Sequence, residues 1–151
     1  MGEGLFPEAN SPVPAIRVDA VVLSVGLASD GAMDTPKSPS DTAWFELGPS
    51  PGDPGSAVIA GHYGWKNNMP AVFDDLSALR RGDKIYVENE KGETTTFIVR
   101  ESRLFDEKEN AADVFSSSDG KAHLNLVTCE GVWSKDTKSY SKRLVVFTDK
   151  E

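Results

Sequence analysis

The sequence predicts a mainly β protein, a barrel or a sandwich, and three observations carry that expectation. Short apolar runs recur every ten to fifteen residues. Clusters of Gly, Pro, Asp and Ser separate them, and helical spacing is confined to one brief stretch after Pro70. At 151 residues the chain fits one ordinary domain and is long enough to bury a core. No internal repeat is visible.

Residues 1–14 hold three prolines and two glycines and read as an N-terminal arm or linker, with the domain proper over 15–151. "AIRVDAVVLSV" (15–25) places Ile16, Val18, Ala20 and Val22 on one face, the period of a half-buried strand. The turn-rich stretch 29–56 leaves Ala43–Leu47 as its only ordered island. "AVIAGHYG" (57–64) reads as a short buried strand that ends at a turn. Val72, Phe73, Leu76 and Leu79 then fall at helical spacing, enough for one or two turns. Strands follow at Lys84–Glu88 and at 94–105, joined by the hairpin turn "EKGE". "AHLNLVTC" and "RLVVFTD" are the last two strands.

Composition narrows the function. Acidic residues outnumber basic ones by 24 to 16, and no run of Lys or Arg exceeds two, which argues against nucleic acid or an anionic lipid surface as partner. The apolar runs are too short for a membrane span or a signal segment. The opening "MGEGLFPEANSPVP" reads as a cut edge, with an anchor expected upstream. Two histidines and one cysteine, scattered, do not make a metal-ligand set, and no cofactor motif is present.

The single cysteine, Cys129, ends the run "LNLVTC". A lone cysteine at the end of a buried strand is usually a small apolar filler. A nucleophilic thiol would need a base or cation to hold the thiolate, and a donor for the oxyanion formed after attack. His123 lies six residues earlier in one strand, about 20 Å away, and is expected at a strand edge or on the surface. His62, where "AVIAGH" opens into a loop, is the only histidine left as a partner. Arg143 begins the strand after a 13-residue loop (130–142), and antiparallel pairing would return it beside Cys129.

These pieces resemble the sortases, the cysteine transpeptidases of bacterial cell surfaces. The resemblance rests on "AVIAGH" ending in His62, "VFDDLSALRRGDKIYV", "LVTC" ending in Cys129, and "YSKRLVVF" carrying Arg143. The order His, Cys, Arg is the family's, whereas papain-like enzymes place Cys before His. The similarity spans residues 42–149, with Ile16–Val25 in the place of the family's first strand. The lead-in "GPSPGDPGSAVIAGH" resembles most the class E/F and related groups. Two positions depart from the pattern: Asn125 stands where "TLxTC" begins with threonine, and Glu130 follows the cysteine. A carboxylate there either raises the thiol pKa or reaches into the substrate groove.

The resemblance implies an eight-stranded sortase-type β-barrel with short helices. It implies that Cys129 attacks a backbone carbonyl in a C-terminal, LPXTG-like sorting signal, and that His62 protonates the departing amine. An amine from a cell-wall precursor or a pilin lysine would then resolve the thioacyl enzyme. Arg143, with the backbone N–H of Glu130, would stabilise the oxyanion or clamp substrate, and Thr128 would support the site. The expected location is outside the bacterial membrane, at the cell surface. Two alternatives stay open: a peptide-binding barrel without catalysis, and a plain cysteine hydrolase.

Overall fold

The computed structural model describes residues 2–5, 20–27, 29, 41–63, 71–88, 92–106, 112–115, 117, 119–134 and 139–151. Eight strands close into a barrel: β1 (Gly2–Leu5), β2 (Ala20–Val25), β3 (Thr42–Phe45), β4 (Gly55–Gly61), β5 (Lys84–Glu88), β6 (Thr94–Asp106), β7 (Ala122–Ser134) and β8 (Ser139–Lys150). Around the barrel the order is β1-β2-β3-β4-β7-β8-β6-β5, with β5 pairing back to β1. The β2–β3 and β4–β7 pairs are parallel and the others antiparallel. The described helical turns are short: a 3-10 turn over Leu76–Ala78 and a helix α1 over Ala112–Phe115.

Alternation decides which side chains fill the barrel. In β5, Ile85 and Val87 are buried while Lys84, Tyr86 and Glu88 are half-buried. The interior also takes Ala57 and Ile59 from β4, Phe97 and Val99 from β6, Leu124 and Leu126 from β7, and Leu144 and Val146 from β8. Phe73, Leu76 and Leu79, read at helical spacing, cap this core from the segment after Ala71. A second apolar layer lies on the outer face, where Val58, Phe105, Val145 and Phe147 pack with Val114 of α1. The runs "AVIA" and "LVVF" lack alternation because these strands are buried on both faces.

One extra residue explains a reversal in β6. The register shifts between Val99 and Glu101, so Phe97 and Val99 face the interior while Phe105, also odd-numbered, joins the outer layer. A bulge of one residue turns every later side chain to the opposite face. The hairpin turn before β6 contains Gly92 at φ +80°, the left-handed region that glycine enters without strain.

Two readings of the sequence need adjustment, and a third falls partly outside the described residues. The segment taken as an arm contributes β1, whose Gly-Glu-Gly-Leu sequence has no strand pattern. Its place is fixed by backbone pairing with β2 and β5. The supposed 13-residue loop after Cys129 is largely strand, since β7 runs on to Ser134 and β8 starts at Ser139. The first strand is described only from Ala20, so Ile16 and Val18 lie outside the described residues.

Phe97 is fully buried at the centre of the interior cluster. Phe97→Ala is expected to destabilise the fold by about 3–5 kcal/mol through lost burial and an incompletely collapsed cavity. Denaturant unfolding checks this; a loss below about 1 kcal/mol would mean that the barrel repacks freely.

Candidate active site

The central wall of the barrel is β4-β7-β8, and the three residues singled out in the sequence stand across it. In the β7–β8 ladder Cys129 is the direct register partner of Arg143, and Glu130 is the partner of Lys142. In the parallel β4–β7 pair the last matched residues are Ala60 and Val127. Cys129 stands two positions beyond that match on β7, and His62 two positions beyond it on the β4 side. The backbone thus brings His62, Cys129 and Arg143 into one row across neighbouring strands.

Two contacts fasten the His62 end of that row. The Thr128 hydroxyl, buried beside Cys129, donates a 2.7 Å hydrogen bond to the carbonyl of Gly61, the residue before His62. The carbonyl of His62 accepts a 3.1 Å bond from the Phe73 N–H. Gly61 is required by this packing, because a Cβ there would stand 2.7 Å from side-chain atoms of both Val72 and Phe73. Asp74 in turn accepts a 3.0 Å bond from the Ala71 N–H and holds the covering turn. Strand, glycine and turn are therefore matched to one another at the point where His62 leaves β4.

Arg143 is half-buried, and its Nη1 donates to the Lys142 carbonyl at 3.3 Å. The Lys142 ammonium is paired with Asp106 across the β6–β8 edge. Just past Cys129 the register shifts between Glu130 and Trp133. Bulges of this kind often lie beside active sites, where they re-aim the chain. The sequence carries a signal for it in Gly131, which falls within the expected loop 130–142.

His123 stands near the start of β7, in register with Ser56 and Asp149, but it is not on the surface. It is only 8% exposed, with Nδ1 2.7 Å from Asp149 and Nε2 2.9 Å from Asp119. Its burial is compensated by carboxylates from two different elements, neither of them legible from the strand pattern. The three groups meet through opposite ring nitrogens, and among the described residues no cluster of three or more His, Cys, Asp or Glu side chains could hold a metal ion.

Asp119 has its carboxyl pKa held below the ordinary 3.8, first by the Lys121 backbone N–H and then by the His123 hydrogen bond. Folding lowers this pKa, so its contribution to stability is present above the unfolded value and lost as pH falls through the folded one. Asp119→Asn should therefore be less stable than the parent at neutral pH, with the gap closing as the pH drops below about 3.8. Paired unfolding curves at the two pH values measure it; a gap that does not change with pH would refute the linkage.

The protein is thus a closed β-barrel with two parallel strand pairs, its one cysteine placed opposite an arginine within a strand ladder. A family model described as the sortase domain matches residues 12–151, and the chain belongs to that family. It is 30% identical over 95 residues to sortase A of Bacillus anthracis, a match covering 63% of this chain and 40% of that protein. Among solved structures, sortase C-1 of Actinomyces oris superposes with a TM-score of 0.73 at 21% identity, over 99% of this chain and 73% of that one. A lid mutant of sortase A from Corynebacterium diphtheriae gives 0.75 at 20% identity, over 99% and 69%. These structural likenesses establish the eight-stranded sortase-type barrel as the fold.

Proposed function

We propose that this chain is a cysteine transpeptidase acting on a C-terminal sorting signal, as the sortase family does. The observation that carries the reading is the pairing of Cys129 with Arg143, with Thr128 tying the neighbouring strand at His62. The Cys129 thiolate attacks the scissile carbonyl of the signal, an LPXTG-like sequence. The carbon–nitrogen bond breaks, His62 gives a proton to the departing amine, and a thioacyl enzyme remains. An incoming amine, from a cell-wall precursor or a pilin lysine, then attacks the thioester and releases the thiol. Arg143 and the backbone N–H of Glu130 meet the negative charge on the carbonyl oxygen in both steps.

The family's position at the bacterial surface supports an extracytoplasmic location. Among the described residues no helix is long and apolar enough to cross a membrane. Within the family, the lead-in "GPSPGDPGSAVIAGH" supports placing the chain with class E/F and related groups. The solved structures it resembles include sortases A and C, at identities that speak to fold alone.

The test is a library of sorting-signal peptides incubated with and without added amine, read by mass spectrometry. A transpeptidase yields an amide that forms only when the amine is present. A plain hydrolase yields the free acid at the same rate in both, and a binding module yields neither. Either of those two outcomes overturns the proposal.

A further inference from the structure

Exposure changes in steps along the outer face of β4 and β7. The register partners Val58 and Asn125 are 2% and 1% exposed. The next outward pair, Ala60 and Val127, is only half-buried, and the positions after it are those of His62 and Cys129. What covers the first pair is α1, whose Val114 is buried in the same outer layer as Val58 and Val145. The helix therefore stops short of the catalytic row, with Ala60 and Val127 as the floor between them. Asn125 is four residues from Cys129, about 13 Å along the strand.

A helix of four residues is too short to hold itself together, so contacts outside it decide where it lies. Val114 packs into the outer layer, and the Phe115 ring meets Phe45 edge-on with centroids 5.4 Å apart. Apolar contacts of this kind have little directional demand. The directional contact comes from Asn125, whose Nδ2 donates to the Val114 carbonyl at 2.7 Å. The amide is a costly choice at so buried a position, because its Oδ1 has no donor among the described residues. The desolvation of that oxygen offsets about what one hydrogen bond contributes, and an apolar side chain would stabilise the site at least as well. What the amide supplies is a fixed donor for α1.

We propose that Asn125 is a positioning residue for substrate selection, holding α1 as the end wall of a substrate groove on this face. The inference rests on the peptide-processing reading given above. A peptide with its scissile carbonyl at Cys129, lying extended over Val127, meets α1 about four residues from the cut. Residues next to the cut lie over Ala60 and Val127 and do not reach the helix. Asn125 therefore governs which side chain is accepted at the far position.

The experiment compares Asn125→Leu and Asn125→Asp, two fillings of similar size that lack the donor. Binding of intact sorting-signal peptides is measured in the Cys129→Ala background, so no turnover is needed and a failure of the transpeptidation reading shows separately in its own test. The unaltered Asn125 protein should discriminate about tenfold or more between large and small side chains at one position about four residues from the cut. In both variants that ratio should fall to roughly threefold or less, while preferences next to the cut stay as they were. Amide hydrogen exchange at Phe115 should quicken about fivefold, in keeping with the loss of one hydrogen bond. With Cys129 present, its labelling by iodoacetamide should keep the parent's rate, which general damage to the wall would not allow. Four results would each overturn the proposal: no discrimination at the far position in the parent, parent-like discrimination in the variants, a loss spread evenly over all peptide positions, or a collapse of the unfolding midpoint in both variants.

Discussion

Cys129→Ala is expected to abolish both peptide cleavage and amide formation while leaving the barrel folded. Removing one sulfur costs on the order of 1 kcal/mol, against a domain total of about 5–15 kcal/mol. The chemical loss is far larger, because no other thiol exists in the chain to form the thioacyl intermediate. Mass spectrometry of the parent with a sorting peptide should trap an adduct that the variant lacks, and denaturant unfolding should show similar midpoints for both. A variant that still turns over at the parent's rate would end the assignment of Cys129 as nucleophile.

Arg143→Ala is the second large effect, a fall of roughly 10²–10³ in rate if the guanidinium serves the oxyanion. Directly opposed residues of an antiparallel pair have Cβ atoms about 4.5–5.5 Å apart, which is within working reach of a long side chain. The distribution of the loss separates two roles. A drop in kcat with KM unchanged marks stabilisation confined to the transition state, whereas a raised KM with kcat preserved marks a clamp on bound substrate. Arg143→Lys should recover only part of the rate, since an ammonium cannot offer the planar, forked donors of a guanidinium. Parent-like kcat/KM in Arg143→Ala would remove the residue from the mechanism.

Legibility in the sequence followed the source of each element's order. Strands β5 and β6 could be bounded closely because Ile85 and Val87 alternate with polar neighbours and "EKGE" marks the turn. The island at Ala43–Leu47 is β3, displaced by a residue or two. β1 was not legible, since its Gly-Glu-Gly-Leu sequence carries no alternation and its place is set by backbone pairing with β2 and β5. The extension of β7 past Cys129 was hidden by Gly131, a residue that favours turns elsewhere but sits at a register shift here. Candidate site residues were visible as types in a family order, and the register sets Cys129 opposite Arg143. The bond from Thr128 to Gly61 joins residues 67 apart, and no local pattern announces such a contact. The burial of His123 was not legible, since its partner Asp149 is 26 residues away.

The parallel pairing of β4 with β7 also has a consequence in time. Ala60 meets Val127 only after the whole intervening crossover has been synthesised and its ends brought together. Closing so long a segment must be met entropically before any contact rewards it, so folding is expected in the millisecond-to-second range typical of non-local β topologies. Until that ladder zips, the thiol and the imidazole belong to separate pieces of chain. Reactivity of the proposed kind is therefore acquired late and all at once, and a nascent or partly unfolded chain carries an ordinary cysteine.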